Sequence, residues 1–454
     1  MIGLVCLSSL IHLGTKVAKV DLSVVKAGFI KTNDFSKVTK PNKDNLFTPI
    51  FVPPPQDPAD YQVGALGYEE FDIADLEDVK LEKAALVMLV RNTEIHKARL
   101  SIRSVEDRFN KFFHYPWIFL NDQTFSTEFI RLTQGLVSGN ATYGEIPKQH
   151  WSLPHYIDRQ SMREKMKKMA SKNVVYGASE SYRHMCRYFS GFFWRHPLLD
   201  DLDYYWRVEP DTQLFCDITY DPFKFMRESN KTYGFVINLK EIAPTIETLW
   251  PTVQQFVRSH PEHVHPNNAH EFIVNGHKSI LDGKYNLCHF WSNFEIAALS
   301  MYRSQAYRDY FDALDQTGKF FYERWGDAPV HSIAASLFLD KEEIHWFYDM
   351  GYRHSPFTHC PEGKEEFHNS GKCFCNPQQN FDRSGHSCTR EYRDMRKNLP
   401  TPGLRSAKML NGARDRSMIV RKKVKLGQRP LKLLPGRAGA EQLRMLEEDS
   451  YALE

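Results

Sequence analysis

A short aromatic strand that ends in two carboxylates is the feature of this sequence that most constrains its fold. Aromatic and β-branched residues dominate Tyr204–Val208, a composition typical of a β-strand. Pro210 then fixes the backbone, so Glu209 and Asp211 are expected just past the carboxyl end of that strand. Ligands of α/β sheets bind at this edge. Two carboxylates there suit a hard divalent cation that bridges to phosphates, although a solvated acidic turn would have the same sequence.

The region before this strand predicts an α/β fold. Ala84–Val90 is a short apolar run typical of a buried parallel strand, and Trp117–Leu120 is a second strand. Between them, apolar residues from Ile95 to Phe112 recur at helical spacing. A strand, a helix and a strand imply a right-handed βαβ unit in a domain of the nucleotide-binding type. The first strand is followed by neither a Walker A loop nor a Rossmann glycine fingerprint, so side chains and a metal ion would hold a nucleotide.

Composition divides the 454 residues into three parts. Residues 1–60 contain an apolar start and a polar stem, and the apolar start is shorter than the roughly 20 residues that span a bilayer. Residues 61–390 carry the periodic patterns of a folded domain, with helices predicted over about 159–171, 179–193, 245–258 and 332–338 and strands over 233–239 and 344–348. Residues 391–454 are polar and basic, and we predict a mostly disordered tail. The nearly balanced net charge of +3 gives no support for a nucleic-acid partner.

The cysteines indicate an oxidising compartment. Four of the eight lie within Cys360–Cys388, without the paired spacing of a zinc site, so disulfides are the better interpretation. Cys373 and Cys375 are too close in sequence to be expected to pair with each other. Two N-glycosylation sequons, Asn140-Ala141-Thr142 and Asn230-Lys231-Thr232, agree with such a compartment.

A carboxylate among aromatic residues is a second candidate for chemistry. Glu295 follows Trp291 and Phe294 in a strongly apolar segment that also contains Asn293. A buried carboxylate costs free energy unless it is paired or hydrogen-bonded. Glu295 is therefore either a structural partner of an arginine or a working group of the site.

Three further stretches have both a functional and a structural interpretation. Asp327 opens a predicted helix and could simply cap it. His354 follows a predicted strand and becomes a candidate metal ligand only if that strand ends beside Glu209. Tyr182 and Arg183 could lie against a sugar ring, or belong to the solvated face of an amphipathic helix.

Taken together, these stretches resemble the fungal α-1,2-mannosyltransferases of glycosyltransferase family 15. The resemblance runs from about Ala84 to Cys388, and it implies that residues 61–390 form a catalytic domain with the GT-A type of α/β fold, a mixed central sheet flanked by helices. It also implies GDP-mannose as donor, Mn²⁺ as cofactor, retention of the anomeric configuration and work in the Golgi lumen. The motifs that carry the resemblance are Tyr205–Asp211, Cys288–Ile296, Arg324–Ser332 and Gly351–His354.

The resemblance implies which residues hold the metal and the nucleotide. Glu209 and His354 would bind Mn²⁺. Arg91 and Asp211 would lie at the nucleotide, close to the carboxyl ends of their strands.

The resemblance also implies roles around the reacting sugar. Glu295 would be the nucleophile on the β face of the mannose, and Asp327 would lie near the reacting centre. Tyr182, Arg183 and Asn293 would contact the substrates.

Partners follow from the same resemblance. The acceptors would be mannosylated protein glycans, O-linked or N-linked, in protein glycosylation or cell-wall mannan synthesis. Family members are held in the Golgi membrane by an N-terminal anchor, which this sequence lacks or carries in truncated form, and the basic extension after Cys388 has no counterpart. Two alternatives stay open: a mannosylphosphate transferase, and a non-catalytic member that binds mannans.

Overall fold

The computed structural model describes residues 80–397. The predicted N-terminal segment and stem, residues 1–60, and the tail from residue 398 lie outside the described residues. The last helix covers Thr389–Lys397, so it crosses position 391, where the predicted tail begins. Tyr392 and Met395 of that helix are buried, which makes it part of the folded domain.

The strands of the described residues are short, and most of them lie in one sheet. Their bounds are β1 Ala84–Leu89, β2 Trp117–Asn121, β3 Ala141–Glu145, β4 Tyr204–Val208, β5 Thr212–Leu214, β6 Tyr233–Phe235, β7 Asn238–Lys240, β8 Cys288–Phe290, β9 Phe294–Ala298, β10 Ile344–Trp346, β11 Tyr352–His354 and β12 Phe357–His359.

Helices flank this sheet. Their bounds are α1 Ile95–Val105, α2 Lys111–Phe113, α3 Thr127–Gln134, α4 Lys148–Trp151, α5 Arg159–Ser171, α6 Glu180–Gly191, α7 Pro222–Glu228, α8 Leu249–Ser259, α9 His270–Ile273, α10 Leu299–Arg303, α11 Gln305–Asp315, α12 Lys319–Tyr322, α13 Asp327–Phe338 and α14 Thr389–Lys397.

The central sheet is mixed, as predicted. Its seven strands lie in the order β10-β6-β9-β4-β1-β2-β3. β9 is antiparallel to both of its neighbours, whereas the other paired strands are parallel. The predicted unit of β1, α1 and β2 is confirmed, since β1 and β2 pair in parallel. The mixed central sheet with helices around it is the GT-A architecture that the resemblance implied.

Side chains of the sheet alternate between two apolar cores, one on each face. In β1, Ala85 and Val87 belong to one core, whereas Leu86 and Met88 belong to the other. Burial on both faces explains why this strand is apolar throughout. The same alternation in β4 places Arg207 on the face of Tyr205, because side chains two positions apart share a face.

One predicted strand is divided in two. Residues 233–239 form β6 in the central sheet and β7 in a separate pair with β8. Between them, the carbonyl of Val236 accepts from the indole of Trp346 at 2.8 Å, and that of Ile237 accepts from the backbone N–H of Trp291 at 2.8 Å. The whole segment is buried, so its hydrophobicity gives no sign of this break.

A three-stranded sheet brings the C-terminal part of the domain to β4. β11 pairs antiparallel with β5, and His354 lies opposite Thr212. Disulfides then fasten this region, which confirms the disulfide interpretation: Cys216–Cys373, Cys288–Cys388 and Cys360–Cys375. Cys186 is buried as a free thiol. None of the helices in residues 80–397 is long and apolar enough to cross a bilayer.

Candidate active site

Arg207 is the centre of a buried charged cluster at the carboxyl end of β4. Its Nε donates to Oε1 of Glu209 at 2.7 Å, and its Nη1 donates to Oδ2 of Asp327 at 2.5 Å. Only 3% of the Arg207 side chain is exposed, compared with 20% of Glu209. Ser292 donates to the same Asp327 oxygen at 2.7 Å. The cluster therefore extends from a closed interior at Arg207 to a partly open carboxylate at Glu209.

The charges of this cluster set the protonation of both carboxylates. Burial alone would raise the pKa of Asp327, but Arg207 and His331 lower it below its usual range. Burial raises the pKa of Glu209, and Arg207 only partly offsets this. Asp327 is therefore a permanent anion. The prediction that Asp327 caps its helix is wrong, because Gly326 occupies the cap position and the Asp327 side chain bonds to Arg207 and Ser292.

Arg207 is a functional residue that the sequence patterns do not single out. An arginine inside a run of aromatic strand residues was the available signal, because a buried guanidinium requires carboxylate partners. The two carboxylates that it contacts were both singled out, one at the end of its own strand and one far away in sequence. Arg207 is the residue that joins them.

Glu295 lies beside this cluster, directly opposite Arg207 in the pairing of β4 with β9. Its side chain is fully buried, and Tyr205, Tyr233 and Tyr302 all donate their hydroxyls to its carboxylate. The bond from Tyr233 is 2.5 Å long and that from Tyr302 is 2.6 Å long. Nδ1 of His331 completes the surroundings at 2.9 Å.

These contacts favour the structural interpretation of Glu295. Its partners are a histidine and three tyrosines, so the expectation of an arginine partner is wrong. Nε2 of His331 lies 2.9 Å from the carbonyl oxygen of Phe189, so both ring nitrogens face acceptors. Burial opposes the charged form of His331, but Glu295 raises its pKa above the usual value. His331 is therefore a buried cation that is paired with Glu295, whose role as nucleophile stays a prediction.

One helix connects the two ion pairs. Asp327 and His331 are four residues apart in α13 and share one face of that helix. That face lies over the sheet residues Arg207 and Glu295. The position of α13 against the sheet therefore fixes where the Asp327 carboxylate lies.

The strand that carries His354 ends beside Glu209, which is the condition for His354 to be a candidate metal ligand. His354 lies opposite Thr212, whose Oγ1 donates to the carbonyl oxygen of Glu209 at 2.8 Å, so the two strand ends are adjacent. Nδ1 of His354 is buried and has no hydrogen-bond partner within residues 80–397. Burial lowers the pKa of His354, which favours a neutral imidazole. Asp211, in a left-handed conformation at φ 66°, is exposed, and its carboxylate lies 3.9 Å from Nζ of Lys97.

The predicted nucleotide and acceptor residues surround this cluster. Arg91 is exposed directly after β1, and its guanidinium donates to Oγ of Ser181 in α6. Tyr182, the next residue of that helix, is half-buried. Its ring stacks on Tyr176 with 4.4 Å between centroids, and the guanidinium carbon of Arg324 lies 5.1 Å from its ring centroid.

Two predicted substrate residues have structural partners instead. Arg183 is fully buried and donates to the backbone carbonyls of Ser179, Phe321 and Glu323, so the prediction that it contacts a sugar is corrected. Its place on the inner face of α6 could not be read from a helix with mixed polarity. Asn293 is also buried, and its Oδ1 accepts from the Tyr352 hydroxyl at 3.0 Å. That bond orients Asn293 at the start of β9, beside the charged cluster.

Comparisons with known proteins agree with this geometry. The family described as "Glycolipid 2-alpha-mannosyltransferase" matches residues 31–397. "Glycolipid 2-alpha-mannosyltransferase 2" of Candida albicans is 54% identical over 310 residues, which is 68% of this chain and 66% of that protein, slightly less than two thirds of its length. "Alpha-1,2 mannosyltransferase KTR1" of Saccharomyces cerevisiae is 54% identical over 321 residues, 71% of this chain and 80% of that one.

Solved structures give the same result. The "Mn/GDP-form" of core-mannan synthase A from Aspergillus fumigatus is 39% identical with a TM-score of 0.65, covering 70% of this chain and 86% of that one. The mannosyltransferase Ktr4p of Saccharomyces cerevisiae in complex with GDP is 39% identical with a TM-score of 0.66, covering 69% and 82%. The family match extends over all of the described residues 80–397 and includes every residue of the charged cluster. This chain belongs to the glycolipid 2-alpha-mannosyltransferase family, glycosyltransferase family 15.

Proposed function

We propose that this chain is a retaining α-1,2-mannosyltransferase, which transfers mannose from GDP-mannose to the 2-hydroxyl of a mannoside. The observation that carries the proposal is that the strand ends bearing Glu209 and His354 are adjacent, with the Arg207–Asp327 pair bonded to Glu209 at the same edge of the sheet. The family relationship supports it, since relatives with 54% identity carry this activity in their names. A solved relative with 39% identity is described with manganese and GDP.

The donor chemistry of Glu209 and His354 fits Mn²⁺. A carboxylate oxygen and a neutral imidazole nitrogen together suit a divalent ion of borderline character. Oε1 of Glu209 accepts from Arg207, which leaves Oε2 for a metal, and the buried Nδ1 of His354 has no other described partner. When bound, Mn²⁺ would neutralise the charge of the leaving diphosphate. Arg91, exposed at the end of β1, and Asp211 lie at the edge where the nucleotide would bind.

Asp327 is the carboxylate that we assign to the reacting sugar. It remains ionised because Arg207 and His331 lower its pKa, and Arg207 and Ser292 fix the position of its Oδ2. A fixed anion in a site that excludes water stabilises the positive charge that develops on the anomeric carbon. Glu295 and His331 would hold α13, and with it Asp327, in place.

Tyr182 is the residue that we assign to the acceptor. It is half-buried, its ring stacks on Tyr176, and the guanidinium carbon of Arg324 lies 5.1 Å from its ring centroid. Because Tyr176 and Arg324 already contact the ring, the hydroxyl is the group of Tyr182 that we assign to a sugar hydroxyl, which it can meet as donor or acceptor. We propose mannosylated protein glycans as acceptors and the Golgi lumen as location, which the three disulfides support.

Incubation with GDP-mannose, Mn²⁺ and α-methyl mannoside tests the proposal directly. Linkage analysis should find an α-1,2-linked mannose, and EDTA should abolish its formation. Asp327→Asn should lower kcat by about a hundredfold or more, as expected when a fixed charge is removed from the site. Asp200→Asn is the matched control, because Asp200 is exposed and precedes the amino end of β4.

A second variant tests the metal site separately. His354→Ala should raise the Mn²⁺ concentration for half-maximal activity by about a hundredfold or more, because even the loss of an outer-shell partner costs about 10–100-fold in metal affinity. Full activity in EDTA would refute metal dependence. A product with acid-labile phosphate would identify a mannosylphosphate transferase instead, and GDP-mannose binding without turnover would identify a non-catalytic member.

A further inference from the structure

The strands of the central sheet separate the domain into two poles. β1, β2, β3 and β4 run parallel to one another, and β6 and β10 run in the same direction because β4 and β6 are both antiparallel to β9. The carboxyl ends therefore meet at one pole, where Arg91 and Glu209 lie. The amino ends meet at the other pole, roughly 16 Å away along a five-residue strand.

Both N-glycosylation sequons lie at the pole where the amino ends of the parallel strands meet, which we call the amino pole. Asn140 comes directly before β3, and Asn230 comes shortly before β6. Both asparagine side chains are exposed. Bulky groups on these two residues would therefore point away from the candidate active site.

Asn140 lies beside a strand edge that the described part of the chain covers at its carboxyl end only. Among residues 80–397, β3 is the outermost strand of the sheet and has β2 on one side only. At its carboxyl end, the His196 ring nitrogen Nε2 lies 3.3 Å from the carbonyl oxygen of Glu145, and the side chains of His196 and Leu198 press against Gly144. At its amino end, Thr142 is exposed. An uncovered edge invites pairing with another chain unless something bulky or charged blocks it.

Asn230 lies in a turn that leaves its side chain in solvent. It adopts a left-handed conformation at φ 49° after α7, and its backbone N–H donates to the carbonyl of Arg227 at 3.2 Å. Thr232, the third residue of this sequon, donates its hydroxyl to Glu343 at 2.7 Å. The contacts that hold this turn come from the backbone and from the side chains of Lys231 and Thr232. A group on the Asn230 amide disturbs none of them.

We propose that Asn140 and Asn230 both carry N-linked glycans, and that the glycan on Asn140 covers the free end of the β3 edge. The donor is an oligosaccharide on a polyprenyl diphosphate, supplied by the transferase of the secretory pathway. Nδ2 of each asparagine forms a bond to the anomeric carbon of the first N-acetylglucosamine and loses one proton. The bond from that carbon to the diphosphate oxygen breaks, and the lipid diphosphate leaves with the electron pair.

Mass spectrometry of the secreted protein tests the assignment. The full chain is directed into the secretory pathway of a fungal host and digested with peptide N-glycosidase in heavy-oxygen water, which marks each released site as labelled aspartate. Labelled peptides are expected at both positions. Asn140→Gln and Asn230→Gln should each remove one glycan, and the double variant should show no shift on deglycosylation. An unmodified Asn140 or Asn230 peptide in the folded protein would overturn the assignment for that residue.

Two functional readouts separate this assignment from the proposed activity. Removal of the glycans from the folded enzyme should leave kcat and KM within about twofold, because both residues lie at the pole opposite the site; a larger loss would contradict the two-pole arrangement. Loss of the Asn140 glycan should increase self-association in sedimentation, whereas loss of the Asn230 glycan should not. Equal behaviour of the two variants would refute the edge-covering role. The peptide labels do not depend on mannosyl transfer, so they stand even if no transferase activity is found.

Discussion

Glu295→Gln is the substitution that best separates a structural carboxylate from a catalytic one. The wild-type carboxylate accepts from three tyrosine hydroxyls and from Nδ1 of His331 at 2.9 Å. A glutamine has one acceptor oxygen and a donating NH₂ group, so at least one of these donors loses its acceptor. The buried His331 cation also loses its counter-charge. Breaking a buried pair by neutralising one partner costs about 3–5 kcal/mol.

The measurement combines thermal unfolding with kinetics on the folded fraction. A loss of that size should lower the melting temperature by about 6–15 °C in a domain of this length. The double variant with His331→Gln should lose less than the sum of the two single variants, by about 0.5–3 kcal/mol, because the unpaired cation is gone. A variant that melts like the wild type while kcat falls about a hundredfold would refute the structural assignment and support the nucleophile hypothesis.

Three further predictions follow from contacts elsewhere in the domain. Burial opposes the charged form of His359, but its partner Asp382 raises its pKa above 6.5. The stability that this pair contributes is therefore complete below pH 6.5 and falls as pH rises through the raised pKa. Denaturant unfolding of His359→Gln at several pH values should lack that decline. Loss of the Cys288–Cys388 bridge should destabilise the domain more than loss of the Cys360–Cys375 bridge, because it closes a loop of 100 residues instead of 15. The difference in the chain-entropy account is about 1–2 kcal/mol, and equal melting temperatures of the two variants would contradict it. A chain that ends after Lys397 should keep full turnover of GDP-mannose, whereas one that ends before the buried Met395 should unfold at lower temperature.

Periodicity predicted the elements that have a uniform environment along their length. The first two strands, β4 and α5 lie within a residue or two of their predicted bounds. The helix predicted from residue 332 begins at Asp327, because Pro329 lies in its first turn, where a missing N–H costs nothing. The break in the strand predicted over 233–239 was not predicted, because hydrophobicity does not reveal a bend in a segment that is buried throughout.

The candidate site was predictable in its residue types and much less in its contacts. Glu209 and His354 were paired in advance on the condition that their strands end side by side, and the β5–β11 pairing meets that condition. The role of Arg207 required knowledge of which distant residues face it. The disulfides were expected, but their partners were not, because pairing depends on distances between strands that are far apart in sequence.

The order of strands in the central sheet has a consequence for biosynthesis. β9 separates β4 from β6, and β10 completes the edge, so late segments of the chain lie between and beside early ones. A chain that emerges from its amino end can assemble β1, β2 and β3 early, but the strand end of His354 comes beside that of Glu209 only after β11 has been made. Chains tend to fold in the order in which they are synthesised, and long-range pairing is slow. A nascent chain therefore lacks the complete set of residues that we propose for the metal, and we expect activity only once nearly the whole domain has been released from the ribosome.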